Sequence, residues 1–257
     1  SRSICAIVPQ DAELSEDKIF ETEDGAEPFR FNANVAKVFP DMLQRSIPGY
    51  AASIEAIGSL AARYVRAGTS CYDLGCSLGA ATLAMRQGIQ QPCCRIVAVD
   101  AAPAMIERCR EMIAEDDRQH GPETQVDLVE RDIREIQFSN ASMVVLNYTL
   151  QFVDRAARDE LVQNIYAGLN EGGLLVLSEK VVDEDPHMEE LLVDLHHEHK
   201  RRNHYSTLEI ARKRAALEDV LVPETVAEHR DRLKRAGFSQ SAVWLRYFNF
   251  VSIIAIR

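Results

Sequence analysis

The chain has 257 residues, 46% hydrophobic and 27% charged, enough for one large domain with a sizeable core. Its formal charge of −11, from 29 Lys and Arg against 40 Asp and Glu, argues against a nucleic-acid-binding surface, so no direct nucleic-acid partner is expected. Six cysteines without a C-x-x-C pair read as reduced thiols of a cytoplasmic protein, and no apolar run suggests a membrane span or signal peptide.

Residues 1–30 are acidic and weakly periodic, and predict an arm lying over a domain of residues 31–257. Cys71–Leu74 predicts a first strand, followed by a glycine-punctuated turn and a helix over Leu78–Gln87. Arg95–Asp100 predicts a second buried strand. Pro103 then stands where proline is tolerated, in the first turn of a helix running to about Asp116. Val126–Glu130 and Ser142–Asn147 read as the third and fourth strands. A helix over Arg155–Leu169 leads through Gly172-Gly173 into a fifth strand, Leu174–Ser178. The segment from about 186 to 222 breaks this rhythm. It is helical in pattern and highly charged, and predicts an inserted cap or dimer element whose basic pairs form a solvated helix face. A helix over Glu224–Ala236 and an antiparallel hairpin of Ala242–Tyr247 and Phe250–Ile256 close the chain. Repeated β-α units imply a mostly parallel seven-stranded sheet with helices on both faces, a Rossmann-like α/β fold. Right-handed crossovers bring the strand ends to one edge, where such sheets bind ligands.

The chemistry concentrates at that edge. Tyr72-Asp73-Leu74-Gly75-Cys76-Ser77-Leu78-Gly79-Ala80 lacks the three glycines of a dinucleotide fingerprint. It fits the Asp-x-Gly-x-x-x-Gly turn with which class I methyltransferase-like domains bind S-adenosyl-L-methionine. Such a turn is expected to leave N–H groups free at a helix N-terminus. Asp100 closes the second strand, where a carboxylate can accept both hydroxyls of a ribose; the alternative is a cap for the next helix. Asp132 ends the third strand, either reading an adenine amino group or standing as a loop carboxylate. Asn147, ending the fourth, is placed to support the amino-acid moiety. His196, His197 and His199 lack an H-E-x-x-H pattern, so no metal is expected. A cap carrying several Arg in an acidic protein suits a carboxylate, which accepts two parallel hydrogen bonds from a guanidinium.

Several stretches together resemble one family. They are Val38–Tyr50, which contains Phe39-Pro40-Asp41-Met42 and Pro48-Gly49-Tyr50, the Tyr72–Thr82 turn, Pro103–Cys109 and Ala141–Asn147. Thr149-Leu150-Gln151-Phe152, Leu177-Ser178-Glu179-Lys180, Lys213-Arg214 and Phe248-Asn249-Phe250 complete the set. The resemblance is to the carboxy-S-adenosyl-L-methionine synthases and covers roughly Phe31 to Arg257. It implies that S-adenosyl-L-methionine and prephenate give carboxy-S-adenosyl-L-methionine and phenylpyruvate. The product would serve a partner enzyme that carboxymethylates a wobble uridine of tRNA. The resemblance further implies a homodimer through the inserted helices. By position, Tyr50, Gly75, Cys76, Ser77, Asp100, Ala101, Asp132, Ile133 and Asn147 would line the cofactor site, and Arg214 would pair with the added carboxylate. The family usually has a polar residue where this chain has Ala101, which removes a side-chain contact and keeps the backbone N–H.

General chemistry accommodates that reaction. A sulfonium acidifies its methyl C–H bonds, so the carbon can act as a nucleophile toward CO2. Prephenate releases CO2 and a hydroxide equivalent, which can take the methyl proton. The protein then supplies orientation, water exclusion and a cation. An ordinary methyltransferase acting on a small molecule or tRNA would share the fold and most of these residues but would need no cation beside the methyl group. A non-catalytic S-adenosylmethionine-binding protein is the third reading.

Overall fold

The computed structural model describes residues 16, 17, 19, 30–121, 124–217 and 220–257. Most of the predicted arm, residues 1–30, therefore lies outside the described residues, as does Cys5.

Two helices that the sequence reading did not mark precede the sheet. Asn32 opens α1 (Ala33–Ser46), its Oδ1 accepting from the N–H groups of Asn34 and Val35 at 3.0 Å. Gly49, at φ 75°, opens α2 (Tyr50–Tyr64), whose Ile54, Ile57 and Ala61 recur at helical spacing and are buried. The alternation then follows as β1 (Ser70–Leu74), α3 (Ala80–Gly88), β2 (Arg95–Asp100), α4 (Pro103–His120), β3 (Gln125–Glu130), β4 (Ala141–Asn147), α5 (Arg155–Gly168) and β5 (Leu169–Lys180). Two cap helices, α6 (Pro186–Arg202) and α7 (Thr207–Leu217), come next. Then follow α8 (Val226–Ala236), β6 (Gln240–Tyr247) and β7 (Phe250–Ile256).

The sheet order is β3-β2-β1-β4-β5-β7-β6. Neighbours from β3 to β5 are parallel, and β7 is antiparallel to both β5 and β6. Every residue of β1 is buried, as a central parallel strand covered on both faces requires. On one face Ile54, Ile57, Ala84 and Met85 of α2 and α3 pack on Cys71, Ile96, Met143, Val145 and Val176. On the other, Leu161, Val162 and Ile165 of α5 and Leu233 of α8 pack on Leu74, Val144, Leu146, Leu177 and Ile253. Each such fully buried aliphatic side chain contributes about 1.5–3 kcal/mol. Helices α2 and α3 cross so closely that a Cβ on Gly88 would stand 2.1 Å from the Gly58 carbonyl oxygen.

The boundaries shift where local chemistry intervenes. Helix α3 begins at Ala80 rather than Leu78, because Gly79, at φ 86°, takes the N-cap. Strand β5 begins at Leu169, earlier than predicted, and runs through Gly172-Gly173 with a register irregularity opposite β4. Helix α8 begins at Val226, with Thr225 and Glu228 forming its capping box. Glu224, expected inside that helix, is instead a buried hub between Arg158 (2.7 Å) and Arg232 (2.8 Å).

The basic pairs of the inserted segment do not form a uniformly solvated face. Lys200 and Lys213 are buried at 8% and 5% exposure. Lys213 Nζ donates to Ser46 Oγ at 2.8 Å, His196 Nε2–H donates to the Ser46 carbonyl at 2.8 Å, and Arg45 Nε donates to the Asn203 carbonyl at 2.8 Å. The cap is thereby fastened to the end of α1. Asp17 completes the junction, accepting from the Tyr205 hydroxyl and lying 3.7 Å from Lys213 Nζ.

Candidate active site

The turn after β1 grips β2 more than it offers donors. The N–H groups of Gly75 and Cys76 both donate to the Val99 carbonyl, at 2.8 and 2.9 Å. The N–H of Ser77, itself at φ 51°, donates to Asp100 Oδ2 at 2.9 Å. These three N–H groups of the turn, which precede the helix N-terminus, are thus engaged within the protein, and the result is to orient Asp100. Its other oxygen accepts from the Ala102 N–H at 2.9 Å. Each carboxylate oxygen keeps a lone pair, which suits two vicinal hydroxyls. Burial pushes the Asp100 carboxyl upward, against the pull of its backbone donors.

Gly75 cannot carry a side chain. A Cβ there would lie 2.5 Å from both Thr149 Cγ2 and Oγ1, at a φ of 77°. That close approach seats the turn against the segment leaving β4, where Asn147 and Tyr148 stand. Asn147 Oδ1 is buried with no hydrogen-bond partner among the described residues, and a ligand ammonium or hydroxyl would satisfy it. Tyr50, at the start of α2, has its ring centroid 6.4 Å from that of Tyr148. Burial raises the Tyr50 hydroxyl well above its ordinary range, so it stays protonated. The unpaired Asn147 atom, the glycine-lined turn and the oriented Asp100 fit an adenosyl ligand carrying an amino acid.

Asp132 follows β3 beside Asp100, but both of its oxygens are engaged. Arg134 reaches them through its backbone N–H (2.9 Å), Nε (3.0 and 3.1 Å) and Nη2 (2.6 Å). These bonds hold the Asp132 carboxyl below the usual range. Ile133 is buried, Ala101 is exposed at the exit of β2, and Cys76 is buried in the turn. Cys109 and burial together push the Cys76 thiol up. Arg214 is exposed on α7, and its charge acts on Lys180, Lys200 and His197. Tyr50, Gly75, Cys76, Ser77, Asp100, Ala101, Asp132, Ile133 and Asn147 thus line one sheet edge or the helix start beside it, with Arg214 on the cap.

Sequence reasoning passed over Asp73, Tyr148 and the burial of Lys200. Asp73 is 1% exposed and accepts from Thr82 Oγ1 at 2.5 Å; burial pushes its carboxyl up to about 6. Its signal was the acidic residue opening the Asp-x-Gly turn. A cleft of about 540 Å³ lined by Tyr72, Val97, Asp127, Val129 and Arg131 lies elsewhere. It opens on the α5 face, where the β3–β4 connection supplies only a 3-10 turn, Ile133–Glu135. Among the described residues no three His, Cys, Asp or Glu side chains converge at metal-ligand spacing, and no helix is long and apolar enough to cross a membrane.

Strand order, parallel core and a glycine turn beside an oriented Asp define a class I methyltransferase-like fold. The family described as "Methyltransferase domain" matches residues 72–173. Among solved structures, human N-acetylserotonin methyltransferase in complex with SAM is similar at a TM-score of 0.56 and 17% identity, over 88% of this chain and 55% of that one. An O-methyltransferase family 2 protein from Planctomyces limnophilus gives 0.56 and 18%, over 88% and 62%. Carboxy-S-adenosyl-L-methionine synthase of Trichlorobacter lovleyi is 55% identical over 89% of this chain and 93% of its own length. That of Aliivibrio fischeri is 51% identical over 94% and 98%. The chain belongs to the carboxy-S-adenosyl-L-methionine synthase family.

Proposed function

We propose that the protein transfers a carboxyl group from prephenate to the methyl carbon of S-adenosyl-L-methionine, giving carboxy-S-adenosyl-L-methionine and phenylpyruvate. The observation that carries this reading is the positive charge gathered over the end of β5. Arg214 and Lys180 act on Lys200, and among the described residues none of the three forms an ion pair with a carboxylate, Glu189 acting on Lys180 without such a bridge. Such a group repels a sulfonium, by roughly 1 kcal/mol per pair at 4 Å in water and more in a dry pocket. Plain methyl transfer gains nothing from that arrangement. A carboxylate between sulfonium and cations turns the repulsion into two attractions, most fully in the transition state that creates it.

Asp100 holds the ribose hydroxyls, and the Gly75-Cys76-Ser77 turn fixes Asp100. Ala101, Asp132 and Ile133 frame the adenine, with Asp132 sharing its oxygens between Arg134 and the base. Asn147 and Tyr50 take the amino-acid end, and Arg214 pairs with the new carboxylate. The sulfonium supplies an acidified methyl group. Prephenate gives up CO2 and hydroxide, the methyl proton leaves with that hydroxide as water, and the chain needs no strong base of its own. The product supplies an enzyme that carboxymethylates the wobble uridine of tRNA. The protein works in the cytoplasm as a homodimer joined through its cap, where Met188, Leu191 and Leu208 are large apolar side chains left exposed.

Differential binding tests the assignment. Arg214→Ala should leave the affinity for S-adenosyl-L-methionine nearly unchanged and weaken the carboxylated form by about 2 kcal/mol. Arg214→Lys should rescue it only in part, since an ammonium lacks the paired donors. Equal losses for both ligands in titration calorimetry would return Arg214 to an ordinary surface charge.

A further inference from the structure

The charge balance of the proposed reaction asks for more than one cation. Prephenate brings two carboxylates: one leaves as CO2 and reappears on the methyl carbon, and the other stays on the 2-oxo acid throughout. Arg214 is placed for the carboxylate that migrates. The one that stays needs a partner of its own, held still while the other moves.

A row of rings leads from the cofactor site to such a partner. Tyr148 lies between Tyr50 (6.4 Å, tilted) and Phe250 (6.0 Å, edge-on), and the His196 ring meets Phe250 edge-on at 4.8 Å. Phe250 pairs in register with Lys180 at the end of β5. His196 is anchored by the Ser46 carbonyl, and Lys200 stands one helical turn further along α6. His196 and Lys200 are the buried residues of that helix, so both face inward. Lys200 is 8% exposed, and its ammonium has no hydrogen-bond or ion-pair partner among the described residues. The charges acting on it, from Lys213, Lys180 and Arg214, are all positive. The carboxylate acting on Lys180 is Glu189, which already accepts from the Asp183 N–H at 2.8 Å. A lysine that is nine-tenths buried among like charges stabilises nothing by itself.

We infer that Lys200, with Lys180 beside it, binds the stationary 2-oxo carboxylate of the second substrate and so positions that substrate against the methyl group. This assignment rests on the prephenate-dependent reaction proposed above. Lys200 forms and breaks no covalent bond; it is a positioning residue whose charge is balanced only when an anion arrives. Burial among those cations pushes its ammonium down to about 7, and a bound carboxylate would hold the proton in place.

Steady-state kinetics and melting of Lys200→Gln test this in the full-length protein. The KM for prephenate should rise by about tenfold to a hundredfold, the range for one lost charge-assisted contact. The affinity for S-adenosyl-L-methionine should stay within about twofold of wild type, well inside a single lost contact. Inhibition by phenylpyruvate, which keeps the stationary carboxylate, should weaken with Lys200→Gln and persist in Arg214→Ala. The variant should melt at or above the wild-type temperature, because it removes an unpaired buried charge. Lys200→Arg should recover part of the prephenate affinity. An unchanged KM for prephenate in an active variant would overturn the Lys200 assignment alone. A loss of melting temperature with parallel loss of S-adenosyl-L-methionine binding would show a structural lysine instead. Absence of prephenate turnover in the wild-type protein would overturn both this assignment and the reaction beneath it.

Discussion

Asp100 shows how a single carboxylate is made into a site. The Ser77 and Ala102 N–H groups fix its two oxygens, so its remaining lone pairs point in directions set by the backbone. Removing the carboxylate in Asp100→Ala should weaken S-adenosyl-L-methionine binding by about 2–3 kcal/mol in titration calorimetry. Unchanged affinity would remove Asp100 from the ribose. The position was legible in the sequence because Asp100 ends an apolar run one β-α unit after the glycine turn. Lys200 and Lys213 were not legible as buried residues. Both sit in a run of charges on helices, and what contacts Lys213 (Asp17, Ser46, Tyr205) comes partly from far away in the chain. The engagement of Asp132 by Arg134 was equally out of reach, since it depends on the turn conformation.

The strands were legible because each is a short apolar run bounded by glycine or a polar residue, and parallel burial demands such runs. Helix α1 was harder to see, with Pro40 inside its pattern. Glu224, just before α8, shows an element boundary set by tertiary chemistry. It accepts from Arg158 Nη1 at 2.7 Å and from both terminal nitrogens of Arg232, at 2.9 and 2.8 Å, tying the β5–α8 connection to α5. Glu224→Ala would leave two arginines short of their partner and should destabilise the fold by about 3–5 kcal/mol in denaturant melts. The pH dependence has a definite sign. Although burial alone would raise it, the two arginines hold the Glu224 carboxyl down at about 2, below its ordinary 4.5. Its contribution is therefore present above 4.5 and lost as the pH falls toward 2. Wild type and variant should converge in stability across that window; a constant gap between them would contradict the network.

At the scale of the molecule, topology does most of the placing. Five parallel strands with right-handed crossovers put Gly75, Asp100, Asp132 and Asn147 on one edge whatever the details of packing. What topology does not dictate is the cap, whose Arg214 and Lys200 bring their charges to bear on Lys180 or on each other at the end of β5, and where the proposed reaction would depart from methyl transfer. The sequence marked that region as an insertion and the family resemblance pointed to Arg214, but the clustering of these cations emerges only from the folded chain. Mass spectrometry of the adenosyl product, after purified protein is incubated with S-adenosyl-L-methionine and prephenate, tests the central claim most directly. The expected product is S-adenosyl-L-methionine heavier by one carboxyl group in place of a methyl hydrogen, formed in step with phenylpyruvate. Accumulation of S-adenosylhomocysteine instead, or no prephenate-dependent product, would contradict it.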